Sequence, residues 1–239
     1  MTQQTPGDLP RGTGDPFALD NVVWASLNGP HRRFATTRGH AARYPDDVAP
    51  FVGLAPHARE SVWGDLASLF GPGGVVVLVG AELAPPANWE VLHQIDAVQM
   101  TGATFHVESD PEIVRLGSAD VPEMLALVER TKPGPFLPRT IELGNYFGIR
   151  RAGGLIAMAG ERLHPPGWTE VSAVCTDFEY RGQGLASRLI KAVGAGIVAR
   201  GERPCLHAAG DNTNAIRLYE GLGFSLRRRM AFEVLRIPD

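Results

Sequence analysis

The residues best suited to chemistry form a glycine-rich turn, Arg181–Ser187, between an apolar run and a segment with helical periodicity. The run Val171–Cys175 has the composition of a strand, and apolar residues from Leu185 to Ile197 recur three and four positions apart. The first main-chain N–H groups of a helix have no partner and lie at the positive end of its dipole. Glycines let such a backbone approach a ligand closely, so the turn predicts a cradle for a diphosphate.

Other interpretations of this turn have to be weighed. A Walker P-loop is excluded because the chain contains no G-x-x-x-x-G-K-[ST]. A dinucleotide site is closer, since Gly182-x-Gly184-x-x-Ser187 differs from G-x-G-x-x-[GA] only at its last position. Two observations count against the dinucleotide site. Glu202 lies at about the expected distance for a residue that binds the ribose, but it precedes the next strand instead of ending it. In addition, too little chain follows Asp211 to complete a doubly wound sheet. A tight turn without any ligand stays open.

A second motif follows the turn and favours one family. Arg181-x-x-Gly184-x-Ala186 resembles the acyl-CoA loop of the GNAT superfamily of N-acetyltransferases, and Asn212 to Phe224 resembles its N-x-x-A-x-x-x-Y-x-x-x-G-F signature. The stretch from Glu170 to Thr176 is similar to the glycine N-acyltransferase-like branch. The resemblance extends from about Glu112 to the C-terminus. It implies a mixed α/β fold whose mostly antiparallel sheet is splayed at one parallel strand pair, and acetyl-CoA as co-substrate.

The resemblance also implies where coenzyme A lies. Its pantetheine arm is expected beside the end of the Val171–Cys175 run, as an added strand in the gap between two parallel strands. Its diphosphate is expected at the glycine-rich turn. The N–H groups near Val174 would polarise the thioester carbonyl. The expected cofactor-binding residues are Val174, Cys175, Thr176, Arg181, Gly182, Gln183, Gly184, Leu185, Ala186, Ser187, Asn212 and Tyr219.

Acyl transfer to a primary amine calls for a base, because a lysine-like amine with a pKa of ~10.4 is protonated near neutral pH. Glu170 is the predicted base, since it opens the strand beside the thioester and matches the glutamate of histone-acetylating relatives. Its spacing to Arg181 is shorter than theirs, and a structural role at a strand start stays open. His164 and Glu142 are the fallback bases. Tyr219 is predicted to hydrogen-bond or protonate the departing thiolate, with core packing as the alternative.

The acceptor site is implied by the same resemblance, in the segment between the first helices and the second strand of the family fold. Here Lys132–Pro138 contains three prolines and cannot continue a regular element. Phe136, Arg139 and Glu142 are the expected substrate-binding residues, with loop packing as the alternative. The predicted function is transfer of an acyl group, most simply acetyl, from acyl-CoA to the amine of a small molecule or peptide. The alternative is a catalytically inactive acyl-CoA-binding sensor or interaction module.

Composition limits the partners and the compartment. The chain has 239 residues, 44% of them hydrophobic, and a net charge of −3, which argues against nucleic acid or anionic membrane as a general partner. Its two cysteines lie in apolar runs and are predicted to be buried free thiols. No metal site is predicted, and without a signal-peptide core or a membrane-length apolar run the expected location is cytoplasmic. The oligomeric state is not predicted.

Three segments are predicted along the chain: a disordered leader at 1–16, a small α/β domain at 17–107 and the acetyltransferase domain at 108–239. The final segment, Phe224 to Leu235, is expected as a strand or a hairpin. Helices are expected at 20–27, 61–70, 89–94, 120–131, 184–200 and 212–222, and further strands at 75–80, 98–105, 113–116, 146–151, 155–163, 169–176 and 204–208.

Overall fold

Apolar runs from both halves of the chain pair into one mixed sheet. The computed structural model describes residues 16–81, 83–102, 105–106 and 110–239. Within these residues the strands follow the order β1-β2-β3-β4-β11-β5-β10-β9-β8-β7-β6, and β3–β4 and β9–β10 are the parallel pairs. The strands are β1 (Thr36–Arg38), β2 (Ala41–Arg43), β3 (Phe51–Leu54), β4 (Val75–Val79), β5 (Glu90–Gly102), β6 (Ile113–Leu116), β7 (Tyr146–Arg151), β8 (Gly154–Glu161), β9 (Trp168–Thr176), β10 (Arg203–Ala209) and β11 (Phe224–Arg236).

Helices cover both faces of this sheet. Along β8, Ala157 and Ala159 pack in the cluster that contains α4, whereas Met158 packs in the cluster of α3, so these two helices lie on opposite faces. In the described part of the chain, no helix is long and apolar enough to cross a membrane. The helices are α1 (Val22–Leu27), α2 (Val62–Phe70), α3 (Val121–Thr131), α4 (Leu185–Ala199) and α5 (Thr213–Gly221).

The expected fold class is confirmed, as are most of the predicted elements. Both cysteines are buried and free, as expected. The prediction of a short helix at 89–94 is wrong. Residues 90–102 form the single strand β5, and its pairing with β11 overrides the local periodicity. The last segment is one strand with a register shift at Arg227, not a hairpin. The leader at 1–16 lies outside the described residues except for Pro16, which opens a 3-10 turn.

The two predicted domains share one sheet. Strand β5, from the first half, lies between β10 and β11 and pairs with both. Strand β11, from the second half, in turn pairs with β4. The sheet therefore combines strands from both predicted domains, and the division into two domains stays a prediction.

Buried histidines also connect the halves. Nε2–H of His31 donates to the Leu143 carbonyl at 3.2 Å, and Nδ1 accepts from the Tyr44 hydroxyl at 2.8 Å. The ring lies 4.9 Å from that of His164, measured between centroids. Burial, with a smaller contribution from His164, lowers the pKa of His31 from 6.5 to about 3. The neutral ring is thus the form that the fold requires.

This burial predicts a loss of stability in acid. Below pH 6.5 the unfolded chain binds a proton at His31 that the folded chain refuses, so the stability present above pH 6.5 falls as the pH drops toward 3. Between pH 7 and pH 4, the unfolding free energy of the native chain should fall by about 3 kcal/mol more than that of His31→Gln. Urea unfolding at each pH measures this difference. His40→Gln, at an exposed histidine, is the control and should match the native slope; parallel slopes for all three proteins would contradict the prediction.

Candidate active site

The site is built where the parallel strands β9 and β10 part. They pair from Trp168–Arg203 to Glu170–Cys205 and not beyond, although β9 continues to Thr176. A bulge in β9, at the register shift between β8 and β9, places Ala173 at φ +52°, a left-handed backbone conformation. The bulge bends β9 away from β10, so main-chain groups on the inner edge of both strands face a gap.

The gap between β9 and β10 forms a cleft of about 690 Å³. It contains eleven of the twelve predicted cofactor residues; the exception is Gln183, whose side-chain oxygen accepts a hydrogen bond from Arg151. The sequence therefore predicted residues that the fold brings to one place. The cleft is lined by Ile95, Thr131, Lys132, Pro133, Gly134, Val174, Cys175, Thr176, Tyr180, Arg181, Gly182, Gly184, Leu185, Ala186, Ser187, His207, Ala208, Ala209, Asn212, Ala215, Leu218 and Tyr219.

The glycine-rich turn presents a row of free main-chain donors to the cleft. Gly182 and Gly184 have φ of +77° and +73°, which other residues adopt only under strain. The first bond of α4 runs from the Arg188 N–H to the Gly184 carbonyl, at 3.2 Å. Within the described chain, none of the N–H groups of residues 182–187 donates to an acceptor. Six adjacent donors at the positive end of a helix suit a diphosphate, so the residues present fit the expected cofactor.

Arg181 adds a positive charge beside this row. Its Nε donates to the Thr176 carbonyl at 3.2 Å, and its guanidinium lies 4.0 Å above the Phe178 ring. No carboxylate of the described chain forms an ion pair with it. The guanidinium is fixed by neighbours that leave its charge uncompensated, as an anion site requires.

The second motif supplies the opposite wall. Asn212 caps α5 as expected, with its side-chain oxygen accepting from the Ala215 N–H at 3.2 Å. Its amide NH₂ makes no hydrogen bond within the described chain. Tyr219 lines the cleft and packs edge-on against Phe224, and burial raises its pKa to about 12. Its hydroxyl has no hydrogen-bond partner in the described residues, so it can donate to a ligand.

Glu170 lies behind the cleft in a buried ion pair. Its carboxylate accepts from Arg162 Nε and Nη2 at 2.9 and 2.7 Å, from the Leu163 N–H at 3.2 Å and from His207 Nδ1 at 2.7 Å. Burial opposes ionisation, but Arg162 and the bond from His207 hold the pKa of Glu170 well below its usual range. Both oxygens are fully occupied, so direct proton abstraction by Glu170 requires one of these contacts to break first.

A chain of side chains continues from Glu170 across the sheet. The Nε2 of His207 accepts from the Gln99 amide at 3.0 Å, and that amide also donates to the Leu19 carbonyl. Arg227 donates to the Gln99 oxygen at 2.8 Å and to Asp20 at 2.6 Å. The orientation of Gln99 is thereby fixed: its amide donates to His207 Nε2, so the Nδ1–H of His207 faces Glu170.

The residues predicted for the acceptor lie outside the cleft. Phe136 is buried edge-on against Tyr146, with 5.4 Å between ring centroids. Arg139 and Glu142 form a two-pronged ion pair with exposed side chains. His164, a fallback base, is buried; burial lowers its pKa, and its Nε2 has no hydrogen-bond partner in the described chain. The structure does not bring these residues to Tyr219.

Sequence reasoning missed the partners of Glu170. Arg162 lies eight positions earlier, and its N–H bonds to the Glu170 carbonyl across the β8–β9 turn. A charged pair flanking a two-proline turn in an otherwise apolar hairpin was the available signal. His207 offered a signal too, as the only basic side chain inside the apolar run Pro204–Ala208. Gln99 gave none, because its role depends on β5 lying next to β10.

Comparison with known proteins identifies the family. The sequence model of the FR47-like protein family matches residues 146–233. A crystal structure from Novosphingobium aromaticivorans, named as a GNAT-family acetyltransferase, is 44% identical with a TM-score of 0.85, covering 92% of this chain and 99% of that one. A GCN5-related N-acetyltransferase from Kribbella flavida is 20% identical with a TM-score of 0.60, covering 95% and 97%, and shows the fold alone. Among curated protein sequences no match was found.

The fold and the cleft define an acyltransferase-type α/β protein. The chain belongs to the GNAT acetyltransferase family, which supports acyl transfer as its class of reaction and an amine-bearing molecule as its acceptor.

The buried pair makes a prediction about stability. Glu170→Gln leaves the Arg162 charge buried without a counter-ion, so we expect the unfolding free energy to fall by about 3–5 kcal/mol. Urea unfolding at pH 7 measures this loss. Glu90→Gln, which breaks the exposed ion pair with Arg236, is the control and should cost at most about 1 kcal/mol. Equal losses for the two variants would show that the Glu170 network contributes no more than a surface pair.

Proposed function

We propose that the protein transfers an acyl group, most simply acetyl, from the thioester of acyl-CoA to a primary amine. The observation that carries the proposal is the row of six unpartnered N–H groups at residues 182–187, which opens into the gap between β9 and β10. The row binds the diphosphate, and the unpaired edge of β9 near Val174 bonds to the amide groups of pantetheine as a strand would. The thioester then lies at the inner end of the gap.

The chemistry is direct attack of the amine on the thioester carbonyl. A new C–N bond forms, the C–S bond breaks, the amine loses one proton, and the sulfur leaves as a thiolate that takes up one proton. N–H groups near Val174 stabilise the negative charge on the carbonyl oxygen in the transition state. The proton lost by the amine passes to solvent, whereas the N–H groups near Val174 that stabilise the oxyanion line the cleft.

Glu170 keeps a role in this scheme, through His207. Because the carboxylate is saturated with hydrogen bonds and its pKa is depressed, we propose that it fixes the ring of His207 at the inner wall of the cleft, and that the amine arrives unprotonated. The alternative assignment of Glu170 as direct base stays a prediction.

Tyr219 acts on the leaving group. Its pKa of about 12 lies well above the ~8.5 of a thiol, so complete proton transfer to the thiolate is uphill by about 5 kcal/mol. A hydrogen bond from the hydroxyl to the developing thiolate needs no such transfer. We therefore propose that Tyr219 donates a hydrogen bond and that solvent supplies the proton.

The function is tested by release of free thiol from acetyl-CoA across a panel of amines, beside calorimetric binding of coenzyme A. Turnover with at least one amine supports the proposal. Micromolar binding without turnover would instead support a catalytically inactive acyl-CoA sensor of the same fold. If coenzyme A neither binds nor supports turnover, the assignment of residues 182–187 as a diphosphate cradle is rejected. Assignment to the glycine N-acyltransferase-like branch and a cytoplasmic location remain predictions.

The pH dependence separates the two roles of Glu170. Its pKa is too low to produce an inflection near neutrality, so kcat/KM should rise with pH as the amine loses its proton. With two acceptors whose amine pKa values differ by about two units, the inflection should move by about two units. An inflection at the same pH for both acceptors would assign the proton to a group of the enzyme.

Removing the hydroxyl of Tyr219 tests the proposed hydrogen bond to the leaving thiolate. Tyr219→Phe keeps the ring packed on Phe224 and deletes only the donor, so kcat should fall by about 10- to 100-fold. The dissociation constant of coenzyme A, from calorimetry, should change less than about threefold. Tyr180→Phe, at a second tyrosine of the lining, is the matched control. Equal losses in turnover and binding for Tyr219→Phe would reassign the residue to packing.

A further inference from the structure

Strand β5 extends past the end of its neighbour. Strand β10 pairs with it from Cys205–Thr101 to Ala209–Ala97, and a last bond joins the Gly210 N–H to the Asp96 carbonyl at 2.8 Å. The chain then turns into α5. Residues Glu90–Ile95 consequently have β11 on one side and no strand of the described chain on the other.

The register identifies the free groups on this edge. The bond from Gly210 to Asp96 flanks the Ala97–Ala209 pair, which makes that pair the non-hydrogen-bonded kind. By alternation, Gln94 and Asp96 direct their N–H and C=O groups away from β11. The Asp96 carbonyl is used by Gly210. The Asp96 N–H and both main-chain groups of Gln94 have no partner in the described residues.

Little protects this edge from pairing. Sheet edges are usually shielded by lysine, proline, bulges or a covering segment. Between Glu90 and Asp96 there is no lysine or proline, carboxylates occur only at the two ends, and Ile95 and Val91 are 49% and 51% exposed. A register shift near Leu92 is the one irregularity, so the regular free edge comprises His93–Asp96.

The edge is continuous with the cleft. Ile95 lines the cleft together with His207 and Ala209. A strand added beside His93–Asp96 would occupy the sheet position that β10 leaves at Gly210. Its end would therefore reach the cleft at Ile95.

We propose that this edge, His93–Asp96, binds the acceptor as an extended peptide by strand addition, with its reactive amine directed into the cleft. The inference rests on the proposed acyl transfer and names its substrate class. Alternating N–H and C=O groups match a peptide main chain, whereas a small amine has nothing to pair with them. A second copy of this chain is the weaker occupant. Pairing four residues of each chain would bury far less surface than the roughly 800 Å² per partner that a stable interface buries.

The test compares peptide and small acceptors. The probes are a degenerate octapeptide library with free α-amines and a matched mixture of amino-acid amides, with thiol release from acetyl-CoA as readout. We expect kcat/KM to be at least about tenfold higher for the library, and Gln94→Pro to remove that preference. Proline is tolerated on an edge and deletes the outward N–H. Gln94→Ala, which keeps the N–H, should retain the preference. Equal kcat/KM for both acceptor sets, or equal effects of the two variants, would overturn the proposal.

Hydrogen exchange separates this failure from failure of the proposed function. The library, at millimolar concentration, should slow exchange at the amides of Gln94 and Asp96 but not at the solvent-facing amides of the turn at 152–153. Protection without turnover on any amine would reject the acyl transfer and keep the peptide site. No protection would overturn the peptide site, whatever the turnover. Protection that rises with protein concentration in the absence of peptide would assign the edge to a second copy and overturn the proposal.

Discussion

The structure depends on the separation of two parallel strands. Strands β9 and β10 are held together only as far as Glu170 and Cys205. The bulge at Ala173 then turns β9 away. Had the strands remained paired to their ends, the main-chain groups that face the gap would bond to each other, and the turn at Gly182 would face a closed sheet. The cleft is thus a property of backbone pairing, and side chains refine it.

The separation is stabilised from one side by a polar chain. Glu170 stands at the last paired position of β9 and is tied to Arg162 and His207. His207 lies two residues past the last paired position of β10 and is held by Gln99 on β5. These bonds fix both strands at the point where they part. Breaking a buried network of this kind leaves uncompensated groups, so the geometry of the gap is resistant to small changes elsewhere.

Local signals made the turn and the flanking elements predictable. Strand composition, glycines and helical periodicity between Val171 and Ile197 specify a strand, a turn and a helix without help from distant residues. The partners of Glu170 could not be predicted, because they depend on strand order. Strand β5 was misassigned at its start for the same reason: its exposed residues 90–95 are ordered by β11, which lies more than a hundred residues later. The acceptor residues near Arg139 were inferred from a resemblance in a region of loops, where packing varies most.

Strand order also assigns separate tasks to the two halves. The second half supplies the turn, α5 and the edge of β9, all of which face the expected cofactor. The first half supplies β5, which completes the sheet beside β10 and reaches the cleft at Ile95, and it supplies Leu19 and Asp20, which hold the polar chain. In the proposed function, cofactor recognition and acceptor recognition therefore fall to different parts of the chain. We therefore expect changes in β5 to alter the acceptor while the diphosphate cradle stays intact, because the cradle consists of main-chain groups of residues 182–187, which belong to the other half of the chain.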